Sequence, residues 1–455
     1  MKLIINHFIK ESFAVLFILF FLLSGETFSQ QNSDSTLVLT LDKSISIALE
    51  NNRDIQLSRQ DVLKSDAQID EAYANIWPTI DVNTNYNRNI KSPVLFIPPN
   101  TPFNPSNQTE TFSLGAKNSF DMTASLSQTI FSLKVNTAIR IANDYSQYYN
   151  FSEKSTENNV ILQVKKAFYG VLLSNELVKV AQKNYEVSKA NYDNISDKYK
   201  QGVSSEYDEL RAKVQLSNAE PMLIQAKNNL ELAKNSLKNL LSIKLNQKIE
   251  TKGKFELDTL GDVQEDSSAT AIVNNNPMIT SLNYQISVLD KNISLEKAAY
   301  FPTLSGFANY EWQTQDNTFN FNNYNWANTI MVGLKLAIPI FDGFARGARV
   351  QQAEIDMEKA KLTKLKTEDG LKIQLVQAEL NMKEAKQRVD AQKESVQEAE
   401  KALKIAESRY DNGIGTQLEI LDTQSALVQT QVSYSQAIYD YLVAKAEWDN
   451  VAGYK

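Results

Sequence analysis

The chain has 455 residues, only 14 glycines and 42% apolar residues, many of them alanine, which suits helices packed closely without one thick core. Its net charge of −7 argues against nucleic acid as a partner, because phosphates demand a basic face. It has no cysteine, and its single histidine, His7, lies in an N-terminal segment that reads as an export signal, so the mature chain lacks a disulfide framework, a lipid-anchor thiol, the commonest transition-metal ligands and the usual general base of nucleophilic catalysis.

Lys2 and Lys10 precede an unbroken run of 11 apolar residues, Phe13 to Leu23, and Ser24, Gly25 and then Thr27-Phe28-Ser29 follow. The run is too short for a membrane span of about 20 residues, so it predicts an export signal over residues 1–29, cut near Ser29. Leu41 to Leu57 reads as an amphipathic helix with Asn51-Asn52 as a weak point, and a second helix runs from about Arg59 to Asn75. It ends before Trp77-Pro78, since a residue preceding proline is pushed out of helical geometry.

Beyond Pro78 the period becomes two. Ile80, Val82, Thr84 and Tyr86 alternate with Asp81, Asn83, Asn85 and Asn87, and Phe120, Met122, Ala124 and Leu126 do the same among polar residues. These predict strands over about 79–88 and 119–131, apolar on one face. Lys91 to Asn118 holds five of the ten prolines and predicts a large exposed loop.

A helix is predicted from about 136 to 200, a rod of roughly 95 Å at 1.5 Å per residue. Its seam is Val164, Val171, Val178, Tyr185, Tyr192 and Tyr199, one every seven residues, backed by Ala167, Ser174, Ala181, Ser188 and Ile195. A glycine turn at Gly202 reverses the chain into a helix over about 206–243, where Pro221 predicts either a kink or a local bulge. Lys244 to Ser268 reads as a polar connector.

The pattern then restarts. Val273 to Ile279 stands 224 residues after Leu49 to Ile55, and Tyr300-Phe301-Pro302-Thr303 matches Ile76-Trp77-Pro78-Thr79 at the same offset. Strands are predicted at about 303–313 and 328–339, joined by a polar loop whose Phe319, Phe321, Tyr324 and Trp326 suit a membrane interface. The next helix, about 345–411, repeats the heptad seam 211 residues on, with Leu375, Met382, Val389, Val396, Leu403 and Tyr410. After Gly413 the last helix covers about 416–452. The chain is thus an internal duplication, 38–243 and 269–452, of a strand pair and a long helical hairpin.

Strands of about ten residues match a bilayer crossing, and a sheet in lipid must close on itself. Four strands cannot close, since small barrels need about eight, so several copies must share one barrel; three would supply twelve strands. The helices would continue it as a water-filled tube.

The repeated turns, Tyr199-x-x-Gly202-Val-Ser-Ser-x-x-Asp208 and Tyr410-x-x-Gly413-Ile-Gly-Thr-x-x-Glu419-x-x-Asp422, and the helix-Pro-strand junctions at Pro78 and Pro302 resemble the TolC-like outer membrane efflux protein family over essentially the whole mature chain. The resemblance implies a mainly α fold with β, in which a homotrimer sets a twelve-strand barrel in outer-membrane lipid above a long periplasmic helical tunnel. It further implies a passive exit duct of an efflux or type I secretion system, docked to a periplasmic membrane-fusion adaptor and an inner-membrane pump or ABC transporter. No cofactor or metal is implied.

Ser205-x-x-Asp208 and Thr416-x-x-Glu419 fit capping boxes, a structural role beside any part in docking. Glu419 and Asp422 sit three apart on one helical face, which symmetry would multiply into an acidic ring. By resemblance these two form a cation-selective periplasmic constriction, and Asp208 and Tyr410 link neighbouring coils in the closed state. The docking tips would be Gly202, Val203, Ser204 and Ser205 with Gly413, Ile414, Gly415 and Thr416. Gly415 stands where some relatives place a latching arginine, which predicts a differently fastened gate. A competing expectation is a secreted coiled-coil scaffold or adhesin whose strands form a small soluble sheet. An enzyme built on carboxylate pairs is disfavoured by the missing histidine and cysteine.

Overall fold

The structure, a computed structural model, describes residues 36–255, 269–321 and 324–453; the export signal expected at residues 1–29 and part of the connector lie outside them. A short strand, Leu37–Leu39 (β1), leads into helices Leu41–Asn51 (α1) and Arg53–Ala74 (α2). The break between them comes at Asn52, not after Leu57 as the sequence predicted. Its extended backbone stops α1, while its side-chain oxygen accepts the amides of Asp54 and Ile55 and starts α2.

Thr79–Arg88 (β2) pairs antiparallel with Asn118–Phe131 (β5). The segment between them was expected to be an irregular loop, yet it contains a second, smaller hairpin, Val94–Ile97 (β3) against Glu110–Ser113 (β4). Its far end is ordered by Asn104, which donates to the carbonyls of Ile97 and Gln108 and accepts from Ser106.

Leu133–Lys200 (α3) is one unbroken helix of 68 residues, about 102 Å long at 1.5 Å per residue. Glu206–Leu240 (α4) returns beside it and continues through Pro221, which stands exposed. The connector is not wholly irregular, because Ile249–Thr251 (β6) lies parallel to β1. The second half follows the same plan with Ala269–Asn274 (α5), Pro277–Ala298 (α6), Thr303–Asp316 (β7), Ala327–Ala337 (β8), Ala345–Asp411 (α7) and Gln417–Ala452 (α8).

The four long strands form one antiparallel sheet in the order β2-β5-β7-β8. Register aligns the pattern across all four: Ile80, Leu126, Ala308 and Val332 make one row, and Val82, Ala124, Tyr310 and Ile330 another on the same face. The opposite face carries Asn83, Thr123, Glu311 and Thr329, then Asn85, Asp121, Gln313 and Ala327. The apolar face is bare, with Ile80 at 71% and Val332 at 75% exposure, as a lipid-facing wall must be. Phe319, Phe321 and Tyr324 fold onto Phe120 and Tyr86 at the end of that face, an aromatic cluster suited to a headgroup boundary.

Below the sheet the helices lie side by side in the order α4-α3-α8-α7. The cores are strung along them. Val164, Phe168 and Val171 of α3 meet Leu237, Leu241, Ile55 and Leu39, while Ala385 and Val389 of α7 meet Ile438 and Tyr441 of α8. The helices α2 and α6 stand end-on above α4 and α8, and one buried asparagine joins each stack. The Asn52 amide donates to Leu240 O at 2.8 Å, and Asn276, which caps α6 through Met278 N, donates to Val451 O at 3.1 Å. A single side chain thus satisfies a donor at one helix start and an acceptor at another helix end.

Candidate functional site

Both hairpins turn at the end of the molecule farthest from the sheet. At the first tip Gly202 takes a left-handed φ of +74°, and the amides of Val203 and Ser204 both donate to Lys198 O, closing the C-terminus of α3. Ser205 then caps α4: its hydroxyl accepts Asp208 N at 3.1 Å and donates to the Asp208 carboxylate at 2.7 Å. At the second tip Gly413 has φ +73°, Ile414 N and Gly415 N both donate to Arg409 O, and Thr416 Oγ1 accepts Glu419 N at 3.3 Å. The tips are thus built alike, and each leaves one aliphatic side chain in water, Val203 at 75% and Ile414 at 70% exposure.

Of the two acids expected to line a bore, Asp422 is exposed and Glu419 is engaged. Arg409 Nε lies 3.3 Å from a Glu419 carboxylate oxygen, and its guanidinium also donates to Ile414 O at 3.2 Å. Gly415 explains itself in the same turn. A Cβ there would stand 2.9 Å from both Arg409 Cβ and Tyr410 N, so no side chain fits without moving the backbone.

Tyr410 and Asp208 come together where the two hairpins of one protomer touch. Lys198 Nζ sits 4.7 Å from the centre of the Tyr410 ring and 4.0 Å from Asp411. Burial raises the Tyr410 hydroxyl above the usual tyrosine range, and the negative charge of Asp208 adds to it. Behind the tips the seam between α3 and α8 is polar. Buried Gln424 donates to Asn184 at 2.9 Å and Ser188 at 3.1 Å, while the amide of buried Gln417 makes no hydrogen bond among the described residues. Sequence reading missed Arg409, Lys198 and this glutamine pair. The one available signal was a basic residue in the last turn of each long helix, where it meets the helix dipole.

A protein-family model described as outer membrane efflux protein matches residues 44–242 and 270–453. The chain belongs to the outer membrane efflux protein family. Among family members it is 22% identical over 331 residues to the cobalt-zinc-cadmium resistance protein CzcC of Cupriavidus metallidurans, covering 70% of this chain and 76% of that one. It is 21% identical to the alkaline protease secretion protein AprF of Pseudomonas aeruginosa over 74% of this chain and 70% of the other. The Campylobacter jejuni CmeC outer membrane channel superposes with a TM-score of 0.74 at 20% identity, covering 91% of this chain and 85% of that one. The fold is TolC-like, and the protein is an outer-membrane exit duct reaching into the periplasm. The soluble scaffold is thereby set aside. The family consists of channel proteins.

Proposed function

We propose that three copies, each cut near Ser29, share one twelve-strand barrel and one helical tunnel gated at the hairpin tips. The observation that carries this is the pair of bare edges: among the described residues β2 and β8 end a four-stranded sheet with unpaired backbone, which lipid does not tolerate. The helices repeat the argument. The outer helices α4 and α7 expose apolar residues away from their own hairpin partners, among them Val214 and Leu232 on one and Leu362 and Leu380 on the other, as subunit contacts require.

At the closed end Asp422 forms the ring that favours cations, with Glu419 held in reserve by Arg409. Tyr410 and Asp208 fasten the second hairpin to the first. Val203 and Ile414, with Gly202, Ser204, Ser205, Gly413, Gly415 and Thr416 shaping the turns around them, meet a periplasmic adaptor that brings an inner-membrane pump or ABC transporter. Two family members named for metal resistance and for protease secretion frame the range of cargo for the same duct.

In planar bilayers the Glu419→Ala/Asp422→Ala double variant should lose cation preference and block by divalent cations; unchanged selectivity would remove the gate assignment. Charged residues at Val203 or Ile414 should abolish export and leave the trimer assembled. Normal export by those variants would argue against tip docking.

A further inference from the structure

The β3-β4 hairpin, at the end of the barrel opposite the gate, is the least explained surface of the molecule. Phe96, Phe103 and Phe112 are 65%, 84% and 61% exposed, and Leu95 and Leu114 are also exposed, and among the described residues nothing of their own chain lies over them. Glu110 is the only ionisable residue between Lys91 and Lys117, so the hairpin offers little for charged headgroups. It is nonetheless ordered, by its own pairing and by Asn104 at its end.

Its root shows which way it leans. Residues 305 to 315 with odd numbers share the polar, bore-side face of β7, and Gln315 is one of them, opposite Ser119. Had β5 run on straight, residue 115 would stand about 13 Å beyond Ser119 at 3.3 Å per residue, out of reach of a glutamine side chain. Instead the chain turns at Gly115, φ +78°, and a Cβ there would lie 3.5 Å from Gln315 Oε1. The bend is therefore over the bore. By contrast, the β7-β8 connection folds outward onto the aromatic cluster of the lipid face.

From Val94 to Thr101 the hairpin reaches at most about 23 Å at 3.3 Å per residue, whereas twelve strands about 4.8 Å apart and tilted about 40° close a ring of radius about 12 Å. It therefore reaches the axis. We propose that the three β3-β4 hairpins of a trimer meet across the exit through their phenylalanines and form an apolar closure on the cell's outer side. This rests on the trimeric reading above. Leu95 and Phe112 share one face of the hairpin and Phe96 stands on the other, so around a three-fold axis one apolar face of each hairpin covers the opposite face of the next, and association removes apolar area that water otherwise covers.

The chain has no cysteine, so single substitutions report without background. Phe103→Cys and Leu95→Cys trimers, first shown intact on seminative gels, are treated in membranes with a short bismaleimide. Covalent dimers at either position, absent from the cysteine-free protein, are expected. In a second arm, Phe96→Ser/Phe103→Ser/Phe112→Ser trimers in bilayers should show higher single-channel conductance than the parent. Intact trimers that fail to cross-link at both positions, cysteines at 95 and 103 quenched by a lipid-phase reagent, or a conductance unchanged in the triple variant would overturn the closure and leave the duct itself standing. Failure of the parent to form trimers would instead count against the trimeric reading.

Discussion

Arg409 limits what the acidic pair can do in the proposed gate, because a Glu419 carboxylate paired at 3.3 Å would add little field to a bore. Arg409→Ala should free that carboxylate and raise cation selectivity, measured as a shift in reversal potential under a salt gradient. The stability change should stay within about 1 kcal/mol, since the pair is roughly half exposed. Gly415→Ala should cost about 1–3 kcal/mol through overpacking against Arg409 and Tyr410. Amide exchange at Ile414 and Gly415 should speed up while the Gly202 turn is unaffected. Tyr410 sets a pH limit on the contact between hairpins: its hydroxyl holds its proton more tightly folded than unfolded, so the contribution is intact below about pH 10 and is lost as pH rises through the elevated value. Channel opening should therefore rise in alkali above that point, and Tyr410→Phe should weaken the dependence, the remainder coming from groups such as Tyr148 and Tyr439, which burial also raises. The caps and the glycine turns were legible because they are fixed by neighbours within four residues. The Arg409–Glu419 pair was not, since it spans ten residues across a turn whose geometry decides it.

At the scale of elements, alternation placed each strand and its faces, and the pairing register lines up the apolar rows the pattern implied. Val332→Arg sets a charge on the lipid face and should cost about 2–4 kcal/mol near the bilayer midplane, depleting heat-modifiable oligomers from outer-membrane fractions. Met331→Arg, one residue away on the bore side, should assemble normally. The heptads gave the two long rods, but three features escaped. The β3-β4 hairpin is hidden among prolines, β6 is only three residues long, and the helix joints depend on partners 188 and 175 residues away. Asn276→Asp tests a joint: it keeps the acceptor that caps α6, removes the donor to Val451 O and sets a carboxylate against that carbonyl. A loss of about 1–3 kcal/mol is expected in denaturant unfolding, larger than for Asn275→Asp at the exposed neighbouring position.

For the whole molecule, duplication is the organising fact. Two strand pairs make half of what a small barrel needs, and two hairpins lie side by side as one wall with apolar outer edges, so neither the sheet nor the rods are complete in one chain. The direct test is the mass of the conducting particle. Protein extracted from outer membranes in detergent, sized by light scattering and then reconstituted, should carry three chains per particle and show one cation-preferring conductance per particle. A single folded chain, soluble without detergent and silent in bilayers, would contradict the account.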